Sequence, residues 1–137
     1  MKYICFDFGD SRTGVACSDV DGKMAFARDT IEVKGLSDAI SKTLIVVKVV
    51  APDAIVVGLP ISLSGTESHR AERTRRFASG LSEASGLPVH LYDERLTTVQ
   101  ADTYLSQTGV FGKKRKNIID SLSAQIILQA FLDSHSR

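Results

Sequence analysis

Three carboxylates in this chain of 137 residues stand where a carboxylate needs a reason. Asp7 lies inside "ICFDFGDSRTGVAC", among Cys5, Phe6 and Phe8, in a run patterned as a buried strand. Glu94 follows the strand-like "PVHLYD", in "DERLTT", and Asp120 lies near the start of "NIIDSLSAQIILQAFLD". An ionised carboxylate taken out of water is costly unless it is neutralised or meets a counter-charge. Taken singly, Asp7 could cap a turn with Ser11 or Thr13, and Asp120 could serve the positive end of a helix. Taken together, the three are hard oxygen ligands suited to Mg²⁺ or Mn²⁺, and a divalent ion supplies the counter-charge for a buried Asp7. Two such ions, roughly 3.5–4 Å apart, can activate a water and stabilise the leaving oxygen of a phosphodiester. No His, Lys or Cys base is then required; His69, His90 and His135 are scattered along the chain.

Basic and hydroxyl groups near these acids could follow a polyanion. Ser11, Arg12 and Thr13 offer donors beside Asp7, with Gly9 allowing close backbone approach. "GKKRKN" places Lys113, Lys114, Arg115 and Lys116 just ahead of Asp120; such a run can equally be a solvated loop. Arg70, Arg73, Arg75 and Arg76 lie on the helix expected after Gly65. At 100° per residue Arg70 falls on that helix's apolar side at its N-terminal end, where an arginine must be paired or face an anion. Contacts of this kind position a nucleic acid without reading its sequence. A base-stacking surface has little support, with aromatic residues at 7% and no Trp.

The elements that must position these groups follow from pattern. Residues 3–8, 13–20 and 23–33 read as an antiparallel meander, with a hairpin centred on Ser11 and a second turn at Asp21-Gly22. Leu36, Ile40, Leu44, Val47 and Ala51 form a helical stripe that Pro52 ends. "AIVVGL" at 54–59 is apolar throughout, as a parallel strand covered on both faces should be. Ser64 and Thr66 are alternative N-caps, Ser64 with Glu67 fitting a capping box, for a helix running to about Ser85 and burying Ala71, Phe77, Ala78, Leu81 and Ala84. Pro88 opens a last strand, and helical stretches follow at 97–107 and 117–134, the latter packing through Ile119, Leu122, Ile126, Ala130 and Leu132. The order β-β-β-α-β-α-β-α predicts an α/β protein with a mixed sheet and helices on both faces. On such sheets ligands gather outside the carboxyl ends of the parallel strands, where Asp7, Gly58 and Glu94 all arrive.

Composition fits that reading: 43% hydrophobic and 24% charged residues describe a soluble globular chain, and the length suits one domain over 1–137. A formal charge of +1 neither favours nor excludes nucleic acid. The N-terminal apolar run is interrupted by Asp7, unlike a secretory signal, and the longest charge-free stretch is too short to span a bilayer. A cytoplasmic protein without membrane contact is expected, with Cys5 and Cys17 as reduced, buried thiols although the Ser11-centred hairpin sets them opposite each other.

The motifs "DFGDSRTGVACSD", "IVVGLPISLSGTES", "LYDERLTT" and "IIDSLSAQIILQAFLD", in this order, resemble those of the YqgF (RuvX) family. These are bacterial ribonuclease H-like proteins described as Holliday junction resolvases or as nucleases processing the 5′ end of pre-16S rRNA. The resemblance covers essentially the whole chain. It implies a ribonuclease H-like, five-stranded sheet of order 3-2-1-4-5, with Asp7, Glu94 and Asp120 as catalytic, metal-binding acids. Related resolvases carry a further acid one turn after the last Asp; here that position is Ser123, so a four-acid site is not expected. The expected partner is nucleic acid, rRNA precursor or branched DNA, bound by a monomer or homodimer. Two other readings compete: a non-catalytic ribosome-assembly factor keeping the basic track, and a phosphate loop of the actin-like kinases. The latter needs two domains, and this length suits one.

Overall fold

Strand alternation decides which side of the sheet each residue serves, and the first strand shows it. The computed structural model describes residues 1–61, 68–94 and 112–135, with side chains from residue 122 onward in the last stretch. Strands β1 (Tyr3–Phe8), β2 (Arg12–Ser18) and β3 (Ala25–Glu32) form an antiparallel meander. Helix α1 (Leu36–Val50) returns the chain to β4 (Ala54–Leu59), which runs parallel to β1. Helix α2 (His69–Ser85) leads to β5 (Val89–Asp93), parallel to β4, and the last helix is α3 (Gly112–His135). The sheet order is β3-β2-β1-β4-β5, as expected.

Ile4, Phe6 and Phe8 of β1 point to one face and pack with Val15, Ile55, Val57 and Phe77 beneath α1 and α2. Cys5 points to the other face and packs with Ala16, Val56, Ala124, Ile127, Leu128 and Phe131, under α3. Helices therefore cover both faces. Asp7, two residues on from Cys5, belongs to the α3 face.

Several local expectations are corrected. The β1–β2 register pairs Phe8 with Thr13 and Ile4 with Cys17, so the turn centres between Asp10 and Ser11. That shift of one residue puts Cys5 and Cys17 on opposite faces. Both are free thiols, Cys5 buried and Cys17 half-buried. The β2–β3 connection is longer than a two-residue Asp21-Gly22 turn, because Asp19 organises it. Its Oδ1 accepts from the backbone N–H of Lys23 at 2.7 Å and of Met24 at 3.1 Å. Those bonds to Met24 and Lys23 hold the Asp19 carboxyl below its ordinary pKa.

The helices also pack slightly differently from their apolar stripes. In α1 the fully buried line is Ala39, Thr43, Val47 and Val50, with Leu36, Ile40 and Leu44 flanking it. Ser68 stands at the N-cap of α2, which buries Thr74 in addition to Ala71, Phe77, Ala78 and Leu81, while Ala84 is exposed. In α3 the buried line is Ala124, Ile127, Leu128, Phe131 and Leu132. Leu122, Ile126 and Ala130 are only half-buried. The expected capping box at Ser64–Glu67 and the helical stretch at 97–107 lie outside the described residues.

Candidate active site

Asp7 and Glu94 are brought together by different strands. Asp7 sits near the carboxyl end of β1, opposite Gly14 of β2, on the face covered by α3. Glu94 follows β5, and its backbone N–H donates to the Leu59 carbonyl at 3.1 Å, extending the β4–β5 ladder by one residue. That bond fixes where the Glu94 side chain starts. From there its carboxyl reaches back over Gly58 and shares a hydrogen bond with the Asp7 side chain. Two carboxyl groups can share a hydrogen bond only if a proton lies between them; a bound cation could hold two ionised carboxylates equally close.

The electrostatics have a clear order of causes. Burial raises the Glu94 pKa above the ordinary value and the charge of Asp93 adds to it; the bond with Asp7 and the charge of Arg70 pull it down, without cancelling the rise. Cys5 is pushed well up, first by burial and then by the negative charges of Asp7 and Glu94. The thiol therefore stays protonated beneath the two acids. It is a neutral floor.

The basic groups divide. Arg70, exposed in the first turn of α2, acts on Glu94 from across the strand ends. Arg73 pairs with Asp10 of the β1–β2 turn, Nη1 to Oδ1 at 2.5 Å, and lays its guanidinium 5.5 Å from the Phe8 ring centroid. Arg76 pairs with Glu72 at 3.0 Å along the outer side of the same helix. Ser11 is exposed at the turn, and Arg12 starts β2 two residues before Gly14, on the face shared with Asp7.

Two expectations for the turn change. Thr13 is fully buried opposite Phe8 on the α1/α2 face, so its hydroxyl does not offer itself to a phosphate in solvent. At Gly9 a β-carbon would lie 2.5 Å from the Arg12 carbonyl oxygen. The close approach that needs this glycine is the turn's own closure.

Lys113, Lys114, Arg115, Lys116 and Asp120 lie within the α3 backbone, and their side chains fall outside the described residues. Among the described residues no three His, Cys, Asp or Glu side chains form a metal-sized cluster. Two features escaped the reading by pattern. One is Gly58, whose missing side chain is the space the Glu94 carboxyl occupies; the signal was a glycine inside a buried β-branched run. The other is the pair Gln125 and Gln129, which bind α3 to the edge of the sheet. Gln129 Oε1 accepts from the Ala25 N–H at 2.9 Å, and Gln125 Nε2 donates to the Ala25 carbonyl at 3.1 Å. No helix among the described residues is long and apolar enough to cross a membrane.

Known proteins supply the last comparison. The family model described as "RuvX: Holliday junction resolvase" matches residues 1–134. A relative from Pelotomaculum thermopropionicum, named "Putative pre-16S rRNA nuclease", is 41% identical over 138 aligned positions, covering 100% of this chain and 90% of that one. In fold, the chain resembles Thermus thermophilus RuvC, solved with a Holliday junction substrate, at a TM-score of 0.63 and 16% identity over 98% of this chain and 95% of that one. The Fowlpox virus resolvase, solved with Holliday junction DNA, superposes at a TM-score of 0.63 with 10% identity over the whole of both chains. Sheet order, helices on both faces and a family match over nearly every residue agree: this chain belongs to the RuvX family of ribonuclease H-like nucleases.

Proposed function

We propose that residues 1–137 act as one divalent-metal-dependent nuclease unit whose substrate is the 5′ end of pre-16S rRNA, in the cytoplasm. The observation that carries this reading is the meeting of two acids at the carboxyl ends of parallel strands: Asp7 of β1 and Glu94, whose carboxyl folds back over Gly58 toward it. Carboxylates held that close repel unless a proton or a cation lies between them. Their oxygen donor set suits Mg²⁺ or Mn²⁺. Asp120 is the third ligand in this reading. Counting back four residues from buried Ala124, and seven from buried Ile127, position 120 falls on the helical register that packs against the sheet.

When bound, a pair of such ions would supply an activated water and charge stabilisation for the leaving oxygen of a phosphodiester. The chain's own residues do the rest. Asp7 and Glu94 would hold the ions, and their half-buried setting beneath α3 lowers the local dielectric in which their charges act. Arg70, Arg12 and Ser11 line the approach, and the Lys113–Lys116 run precedes the helix of Asp120; these groups neutralise phosphates and set register. Arg73 joins them once it leaves Asp10. A second reading, cleavage of a four-way DNA junction, is favoured by the likeness in fold to junction resolvases.

The test is a cleavage assay of the purified protein, as monomer or homodimer, on a 5′-extended 16S precursor and on a four-way junction, with and without Mn²⁺. Metal-dependent cuts in the RNA alone support the first reading, and cuts in the junction alone the second. A parallel measurement follows melting temperature against Mn²⁺. At about 100 times the dissociation constant the ion should add about 2.7 kcal/mol of stability. Asp7→Asn, Glu94→Gln and Asp120→Asn should each reduce that gain, while Asp102→Asn and Asp133→Asn should leave it intact. If all five behave alike, the acids share no metal site.

A further inference from the structure

We infer that Gly58 is a positioning residue of the active site, kept side-chain-free so that the Glu94 carboxyl can lie against the sheet beside Asp7. The inference rests on the nuclease reading for its catalytic meaning and on geometry for its physical content. Gly58 is in β4, the central parallel strand, and its neighbours Val57 and Leu59 are buried. A β-carbon built on it would stand 2.6 Å from Glu94 Oε2 and 2.8 Å from Ile127 Cδ1 of α3. Both separations are shorter than real Cβ contacts, so something must move. Glu94 cannot move freely, because its backbone is tied to the Leu59 carbonyl and its side chain to Asp7.

Backbone conformation is not what demands this glycine. Gly22, Gly35 and Gly86 have positive φ, and Gly58 does not. Its function is space. The contrast with Gly80 is informative: there a β-carbon would meet only the side chain of Ile40, whose terminal methyl, 2.5 Å away, can swing aside between α1 and α2. At Gly58 the obstructed groups are a carboxyl oxygen on a side chain whose backbone is tied to Leu59 and a methyl in a closed core. A strand glycine normally weakens a sheet, and here it leaves a recess at the point where two acids meet.

The two obstructed neighbours make the inference testable by rescue. Gly58→Ala should lower kcat/KM by about 100-fold, the scale of a misplacement near 1 Å, and change kcat more than KM. Glu94→Asp shortens the carboxylate arm by one methylene, and Ile127→Val removes the Cδ1 methyl. In the double variants, positioning predicts that Gly58→Ala/Glu94→Asp is much less impaired than the product of its single effects. It also predicts that Gly58→Ala/Ile127→Val recovers stability without recovering kcat. Gly80→Ala should leave activity unchanged. Recovery of full activity through Ile127→Val alone would overturn the inference and make Gly58 a packing residue under α3. Melting temperatures of the same variants separate this from the nuclease reading. Coupling between positions 58 and 94 should appear in stability even if the wild type neither cuts nucleic acid nor responds to Mn²⁺. Additive melting temperatures at 58 and 94 would end the proposal by themselves.

Discussion

On the α1/α2 face of the sheet the strands present Ile4, Phe6, Phe8, Val15, Ile55 and Val57, closed by Phe77. On the α3 face the same strands present Cys5, Asp7, Gly14, Ala16, Val56 and Gly58, with Glu94 reaching in from the end of β5. Large apolar residues fill the first side; the second has Tyr3 and Tyr92 packed on Phe131, but small residues where α3 lies closest and where the two carboxyl groups meet. A period of two in the strands is enough to separate the two tasks. The side with the bulkier strand core and the side proposed to do chemistry are one residue apart.

If the α1/α2 face carries stability, the largest effect should come from Phe77→Ala. Phe77 is fully buried, stacked on Phe8 at 4.6 Å and edge-on to Phe6 at 6.2 Å. Truncating a buried Phe costs about 3–5 kcal/mol, read from urea unfolding. The protein that remains folded should keep its kcat. A cost below about 1 kcal/mol would mean that this side is not the stability side.

Asp7→Asn should do the opposite. Cleavage should fall by more than about 100-fold, the upper end of what losing even an outer partner costs a metal site. Stability in metal-free buffer should hold or rise, because the near-isosteric amide removes a charge beside Glu94. Circular dichroism and kcat measured together decide it. A collapsed spectrum would make Asp7 structural and erase the contrast between the faces.

The Glu94 carboxyl sharpens the contrast through pH. Its folded pKa lies above the ordinary value, chiefly through burial. The native state therefore holds a proton that the unfolded chain has released, and stability falls as pH rises from the ordinary glutamate range toward the folded pKa. Glu94→Gln should flatten that fall in metal-free buffer and raise the melting temperature at neutral pH. Wild type saturated with Mn²⁺ should lose the same pH dependence. A Gln variant with the wild-type pH profile would assign the dependence to another group.

Neutralising Lys113, Lys114, Arg115 and Lys116 should touch neither face's packing and act on substrate alone. The log–log salt slope of binding should fall by roughly 0.7–0.9 for each phosphate that is no longer neutralised. An unchanged slope returns the run to an ordinary solvated helix start.

The mixed sheet and the meeting of Asp7 with Glu94 were legible because both follow from coarse signals. Alternation and β-α order gave a mixed sheet with helices on both faces, its 3-2-1-4-5 order followed from the family resemblance, and the carboxyl ends of its parallel strands pointed to the site. Register was less legible: the Ser11-centred hairpin missed by one residue, which moved Cys17 to the other face. The Asp19 loop was hidden for a related reason, since Asp21-Gly22 is a strong turn signal that a side-chain acceptor two residues earlier overrides. Buried lines in α1 and α3 sit beside the apolar stripes because small Ala39, Thr43 and Ala124 occupy the tightest contacts. Gly58 was read as part of a uniformly apolar strand reaching the site's edge, and only the position of Glu94 shows why that residue has no side chain.

Arg73 marks where the two faces meet, and it carries the smallest expected effect. Its guanidinium lies over Phe8 of the α1/α2 face, while its ion pair holds Asp10 in the turn that follows Asp7. The pair is open to solvent, with side chains 36% and 75% exposed, so breaking it should cost no more than about 1 kcal/mol. Asp10→Asn is the cleaner variant, because it keeps the shape of the turn and frees one cation at the strand ends. If Asp10 occupies Arg73 in the free protein, that variant should bind nucleic acid more tightly. Its log–log salt slope should also steepen by roughly 0.7–0.9, the mark of one more neutralised phosphate. Arg73→Gln in the same background should cancel both changes. Tighter binding with an unchanged slope would mean that the gain comes from removing a repulsive carboxylate, and Arg73 would then belong to the fold alone.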